Sequence, residues 1–192
     1  MRRISLRMFM TLDGHAEFPK YPGYDDTPSY PDPNFTDMWH KYYDSIDTII
    51  LGRRAYEDWA DYWPISKRSE REPKDLMDFS NFLSTCEKIV FSNSLTSAKW
   101  DKSRIIKGDI KEGIARLLEE PGKDIAIGGG PMLAQSFMRQ DLIDDYFLTI
   151  FPVIYGQGKP LFGGLASQIT LKLVSLQKYK AGELFVHYER VK

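Results

Sequence analysis

A chain of 192 residues with a formal net charge of −1 and one cysteine is sized for one domain, residues 1–192, able to bury about 70% of its unfolded surface. Balanced charge gives no electrostatic footprint for nucleic acid or an anionic membrane. A lone Cys86 excludes an internal disulfide and a cysteine-rich zinc site. No apolar run reaches about 18 residues and the first residues carry no signal-type apolar stretch, so the expected setting is cytoplasmic with no membrane contact.

Ile4, Leu6, Met8 and Met10 alternate with Ser5, Arg7 and Phe9, the period of a first strand, which ends at Leu12-Asp13-Gly14. Five prolines between positions 18 and 34 forbid a regular element and predict a long loop. Phe35, Met38, Trp39, Tyr42 and Ile46 fall on one helical face behind Asn34, which predicts a capped helix over 35–46. A buried strand over 48–51 then turns at Gly52 into a second helix. Residues 63–74 read as a charged surface loop and 75–84 as a helix. A strand follows over 88–91, a short one over 104–106 and a helix over 110–118. Strands near 124–127, 145–151, 171–179 and 184–190, with a helix opening at Pro131, complete the pattern. Strands that first alternate with helices and then follow one another predict an α/β fold whose sheet is parallel in its body and antiparallel at its C-terminal edge.

Two strand-to-helix turns carry the chemistry. In Ile127-Gly128-Gly129-Gly130-Pro131, glycines let the backbone approach a ligand, and Pro131 suits the first helical position. Helix N-termini present unpaired N–H groups at the positive end of the dipole, where phosphate binds. Leu51-Gly52-Arg53-Arg54 repeats the geometry and adds two guanidinium groups; Arg53, beside the glycine, is the stronger candidate, with Arg54 equally readable as a solvated first-turn residue. Ser92-Asn93 at a strand end supplies short donors, and the same residues are turn formers. Both turns are also readable as tight connections without a ligand. Neither GxGxxG after the first strand nor a phosphate-loop GxxxxGK[ST] is present, and the deaminase H-x-E with P-C-x-x-C is absent.

Taken in order, Thr11-Leu12-Asp13-Gly14, Leu51-Gly52-Arg53-Arg54-Ala55-Tyr56-Glu57, Phe91-Ser92-Asn93, Ile127-Gly128-Gly129-Gly130, Leu142-Ile143-Asp144-Asp145 and the run from Pro152 to Phe162 form a recognisable series. It resembles the dihydrofolate reductase-like superfamily, and more closely stand-alone bacterial proteins related to the C-terminal reductase domain of the bifunctional riboflavin-biosynthesis deaminase/reductase. The resemblance implies a three-layer αβα sandwich on a mixed sheet, NADPH as cofactor and a homodimer. It implies that Gly52, Arg53 and Ser92 meet the cofactor phosphates, that Gly128, Gly129 and Gly130 cover the pyrophosphate and nicotinamide, and that Thr11, Asp13 and Gly14 lie beside the nicotinamide. It also implies a cis peptide at Gly128-Gly129. Ala55 departs from the threonine usual in GR-x-TYE and removes a phosphate-bonding hydroxyl, for which Arg54 can compensate. Asp144-Asp145 stands where Asp-Glu is usual, a tolerable change.

Reduction of a C=N or C=O group requires a hydride and a proton, and a carboxylate in an apolar pocket can hold the latter. Asp37 on the first helix and Asp13 on the preceding loop are the candidates, each also readable as a structural charge. The three histidines have no metal-ligand spacing, so no metal is expected; His15 and His40 read as solvent-facing or packing residues and His187 as structural. Trp39, Trp59 and Trp63 read as core, or as a roof over a planar ring. The reading is an NADPH-dependent reductase of a small planar heterocycle of pterin or ribitylaminopyrimidine type. The alternative is a non-catalytic, dimeric nucleotide-binding protein that keeps the fold.

Overall fold

The computed structural model describes residues 1–16, 40–69 and 71–192. The segment 18–34, the Asn34 cap, Asp37 and Trp39 lie outside the described residues.

Among the described residues eight strands form one sheet in the order β4-β3-β2-β5-β1-β6-β8-β7. They are β1 (Ile4–Thr11), β2 (Ile46–Gly52), β3 (Glu87–Phe91), β4 (Ser103–Ile106), β5 (Asp124–Ile127), β6 (Asp145–Phe151), β7 (Leu171–Lys178) and β8 (Leu184–Arg190). The pairs from β4 to β6 are parallel, and β6–β8 and β8–β7 are antiparallel. Among the described residues the helices that flank it include α1 (Arg53–Tyr62), α2 (Lys74–Thr85), α3 (Ile110–Glu119) and α4 (Pro131–Arg139), and residues 40–44 are also helical.

Both faces are covered, so the central strands are apolar in both directions. On one face Leu6, Met8, Ile50, Ile89 and Ile127 pack on Ile114 and Leu117 of α3 and Phe137 of α4. On the other, Ile49, Leu51, Val90 and Ala126 pack on Tyr56 of α1, Leu83 of α2 and Tyr42 of the helical residues 40–44. Three layers follow, an αβα sandwich as expected.

Several boundaries move for local reasons. The first helix was expected to reach 46, but Ser45 turns and Ile46 is already in β2, buried opposite Asp124. Within the 63–74 segment a 3-10 turn forms at Ile65–Lys67 behind Pro64, and α2 starts at Lys74 directly after Pro73. The expected cis peptide is absent: every described peptide bond is trans, and the Gly128-Gly129 turn is made instead by a φ of +87° at Gly129.

Candidate active site

Thr11, Gly52, Phe91 and Ile127 end four adjacent parallel strands on the same side of the sheet. Here the connections diverge, α1 leaving β2 toward β3 while α4 leaves β5 toward β6. Such a switch point opens a crevice beyond the strand ends where ligands bind in open α/β sheets.

Two helices start in that crevice. Gly52 is the N-cap of α1 and Gly130 that of α4, and neither cap makes a side-chain hydrogen bond. Helix α3, which follows the edge strand β4, is capped instead by Asp109, whose carboxylate accepts from Glu112 N at 3.1 Å. The amides at the two glycine starts are therefore offered outward with their dipoles. The starts abut: a Cβ added to Gly129 would lie 2.6 Å from Ala55 Cβ. A Cβ on Gly128 would lie 2.9 Å from Ile49 Cγ2 and 3.3 Å from the Trp59 ring, whereas one on Gly52 or Gly130 would meet nothing within 4 Å. The triglycine thus divides in function. Gly128 and Gly129 let the two turns close on each other, and Gly130, with buried Pro131 behind it, opens the helix start to solvent.

Arg53, Arg54, Ser92 and Asn93 stand just beyond the ends of β2 and β3. Arg53 is half-exposed and holds Glu57 at 3.1 Å, an i,i+4 pair. Arg54 is exposed in the first turn. Ser92 Oγ accepts from Leu95 N at 3.0 Å, and Asn93 Oδ1 accepts from Gly108 N at 2.9 Å, so both shape the turn after β3.

Beyond β1, Thr11 Oγ1 donates to Asp13 Oδ1 at 2.6 Å. The Asp13 carboxylate also accepts from Gly156 N at 2.7 Å and Tyr155 N at 3.1 Å, and His15 Nδ1 lies 3.2 Å away. The Thr11 hydroxyl, then the Gly156 and Tyr155 amides, hold this carboxyl far below the usual carboxylate range. Leu161 N bonds to Gly14 O and Leu12 N to Val153 O, each at 2.8 Å, while Gly14 turns with φ +85°. The two distant sequence motifs are therefore one structure. A carboxylate engaged this way stays ionised near neutral pH and braces the two loops, the structural role that the sequence also allowed Asp13.

Between the sheet and α1 and α2 lies a cavity of about 300 Å³. Arg7, Phe9 and Ile49 form its floor, Gly128 and Gly129 one end, and Trp59, Trp63 and Phe79 an aromatic wall. Trp63 meets Phe79 edge-on at 4.7 Å and Trp59 meets it at 5.8 Å, so these tryptophans are at once core and lining. His40 also lines it, with Nε2 2.9 Å from Asp78 Oδ2, which Lys74 Nζ approaches at 2.5 Å. His40, Asp78, Arg7 and Tyr43 were not among the predicted site residues. Arg7 was legible as the one charge in an alternating strand, but alternation assigns it to solvent, and here both sheet faces are covered. His187 is structural as expected, bonded to Asp145 at 2.8 Å and stacked on Phe147 at 4.1 Å. Among the described residues no cluster of potential ligands for a metal ion forms, and no helix is long and apolar enough to cross a membrane.

A mixed sheet between two helical layers, with paired glycine-capped helix starts beside an apolar chamber, defines an α/β protein of the dihydrofolate reductase-like fold. The family model described as the RibD C-terminal domain matches residues 2–185, and the chain belongs to that family. The uncharacterized protein YyaP of Bacillus subtilis (strain 168) is 34% identical over 188 residues, 97% of this chain and 94% of YyaP. A pyrimidine reductase-like protein from Corynebacterium diphtheriae superimposes with a TM-score of 0.66 over 100% of this chain and 92% of that one, at 18% identity. Dihydrofolate reductase from Enterococcus faecalis, complexed with NADP(H) and RAB-propyl, gives 0.61 over 99% and 97% of the two chains, at 14% identity. These two likenesses establish the fold.

Proposed function

We propose that the protein is an NADPH-dependent reductase that transfers a hydride to a planar heterocycle of pyrimidine or pterin type. One observation carries the reading: the two uncapped helix starts at Gly52 and Gly130 touch at Ala55 and Gly129, and Gly128 and Gly129 also form the end wall of the apolar chamber. A dinucleotide needs this combination, an anion site for its phosphates next to a water-poor chamber for its reactive ring. Family membership and the NADP(H) bound by the E. faecalis enzyme support the same cofactor.

The residues present fit that group. The first-turn amides of α1 and α4 would hold the pyrophosphate, and Arg53, once released from Glu57, would take the charge of a ribose phosphate. Ala55 supplies no hydroxyl, and its methyl instead fills the space beside Gly129. When bound, the dihydronicotinamide supplies the hydride. The chain's share is to hold the ring against Gly128 and Gly129, to exclude water with Trp59, Trp63 and Phe79, and to deliver a proton. For the last step we assign His40, because its ring lines the chamber and Asp78 fixes its Nε2 side.

Calorimetric titration with NADPH and NADH, in wild type and in Arg53→Ala, is the test. The reading expects NADPH to bind and NADH to bind poorly. NADPH oxidation with a panel of oxo-pyrimidines and pterins then follows turnover. Absence of binding by either nucleotide overturns the reading, and binding without turnover across the panel favours a nucleotide-binding module.

A further inference from the structure

The charge pattern of residues 63–74 predicts a solvated surface loop, yet Arg68 within it is buried, its side chain 5% exposed. Its guanidinium carbon lies 4.3 Å from the centre of the Tyr62 ring and 5.7 Å from that of Trp63. Nη1 donates to Glu72 Oε2 at 2.8 Å, and Nη2 donates to Tyr62 O. Aromatic faces stabilise a cation that leaves bulk water and fix its orientation. Lys67 of the same segment donates to Asp61 O at 2.5 Å and to Asp61 Oδ1 at 2.6 Å. Helix α1 has no basic residue in its own last turn, so these two loop cations take the carbonyl end of the helix. The consequence falls on Trp63. It is the C-cap of α1, its N–H bonded to Trp59 O at 2.8 Å. Its ring stands edge-on to two others, Tyr62 at 4.9 Å and 88° and Phe79 at 4.7 Å and 89°. Trp63 and Phe79 line the chamber, whereas half-exposed Tyr62 stands behind the wall. A swing of Trp63 toward Tyr62 must therefore displace that ring and the guanidinium lying over it.

We propose that Arg68 is a positioning residue that holds Trp63 in the chamber wall and so sets the chamber's affinity for a planar ring. This rests on the reductase reading only in taking the cavity as the substrate chamber. Arg68 is not among the residues that line the chamber, and it acts through Tyr62 and Trp63. A wall fixed before a ligand arrives has less side-chain freedom to lose on binding. The guanidinium suits the task because its planar fork bonds two oxygens while its face lies on a ring, and an ammonium keeps the charge without that geometry.

The test uses the full chain and naphthol as a neutral planar probe, titrated calorimetrically beside NADPH. Arg68→Met is expected to weaken naphthol about tenfold, to change NADPH affinity less than about twofold, and to reduce the near-ultraviolet circular dichroism of the tryptophans. Arg68→Lys is expected to recover only part of the naphthol affinity. Because the residue acts through Trp63, adding Arg68→Met to Trp63→Leu should weaken naphthol no further than Trp63→Leu alone, a coupling that a merely structural role would not produce. Should Arg68→Met fail to fold, Tyr62→Leu removes the intervening ring at a half-exposed position and is expected to weaken naphthol several-fold. Naphthol affinity unchanged in these variants, equal losses of naphthol and NADPH, full additivity with Trp63→Leu, or no binding of naphthol by the wild type overturns the proposal. NADPH titration of the wild type separates the two readings: a naphthol effect at position 68 without NADPH binding leaves the positioning role and sinks the reductase, and NADPH binding with naphthol indifferent to position 68 does the reverse.

Discussion

The two ends of the parallel strands are built on opposite rules. At the amino ends, charges are matched: Arg2 bonds Asp47 at 2.5 Å, Arg3 bridges Asp145 at 2.6 Å and Glu189 at 2.8 Å, and Asp144 accepts from Ile4 N at 3.0 Å. Arg104 ties Glu87 to Glu120 on the outer edge, at 3.0 and 2.8 Å. At the carboxyl ends, two helix starts lack side-chain caps, glycines replace side chains and an aromatic chamber lies between the sheet and α1 and α2. One end of the sheet fixes strand register and the other keeps donors available, so stability and binding can be changed separately.

The largest effect is expected at the closed end. Asp145→Ala leaves Arg3 with Glu189 alone and takes the carboxylate from His187, and should lower unfolding free energy by about 2–4 kcal/mol with NADPH affinity within about twofold of wild type. Urea unfolding and calorimetry measure the two quantities. A large loss of cofactor affinity in this variant would break the separation.

Gly129→Ala tests the open end. Alanine at φ +87° is strained and its Cβ meets Ala55 at 2.6 Å, so a stability loss of about 2–3 kcal/mol and at least about a tenfold drop in NADPH affinity are expected. Adding Ala55→Gly removes the contact and leaves the backbone strain. The double variant should therefore be more stable than the sum of the single effects, and strict additivity would show that the two turns do not touch.

Lys88 sharpens the comparison because it is a buried cation at the amino end of β3 with no carboxylate in bonding contact among the described residues. Its Nζ donates to Leu83 O at 2.8 Å and lies 4.7 Å from the Trp100 ring centre. Burial pushes its pKa down to about 8. The fold thus disfavours the charged form, so its cost is present in full below about pH 8 and is relieved as pH rises toward the unfolded value of 10.5. Lys88→Met should add about 2 kcal/mol at pH 7 and remove the rise in stability between pH 8 and 9. Above pH 9 burial of the Cys86 thiol, pushed up to about 11, acts in the opposite sense. A variant less stable than wild type at pH 7 would mean that the Leu83 bond outweighs burial.

The smallest effect belongs to an exposed residue. Arg53→Ala should weaken NADPH by about 1.5 kcal/mol, less than a buried contact would, because Glu57 competes for the guanidinium and solvent screens it. Stability should stay within about 0.5 kcal/mol.

The sequence by itself determined the elements and their layers. Period-two and period-3.6 patterns follow from backbone geometry, and runs such as Ile49-Ile50-Leu51 are apolar in both directions because they are covered on both faces. It also determined the two glycine turns, since a strand ending in glycine before a helix needs no distant partner to be recognised. Tertiary structure decided the rest. Only folding brings Tyr155 and Gly156 onto Asp13 and makes a proton candidate into a brace. Only the second helical layer turns Arg7 from a solvent position into a cavity floor, and only the packing of α2 brings Asp78 to His40. A side chain's protonation and access depend on neighbours far away in the chain, and local periodicity carries no record of them.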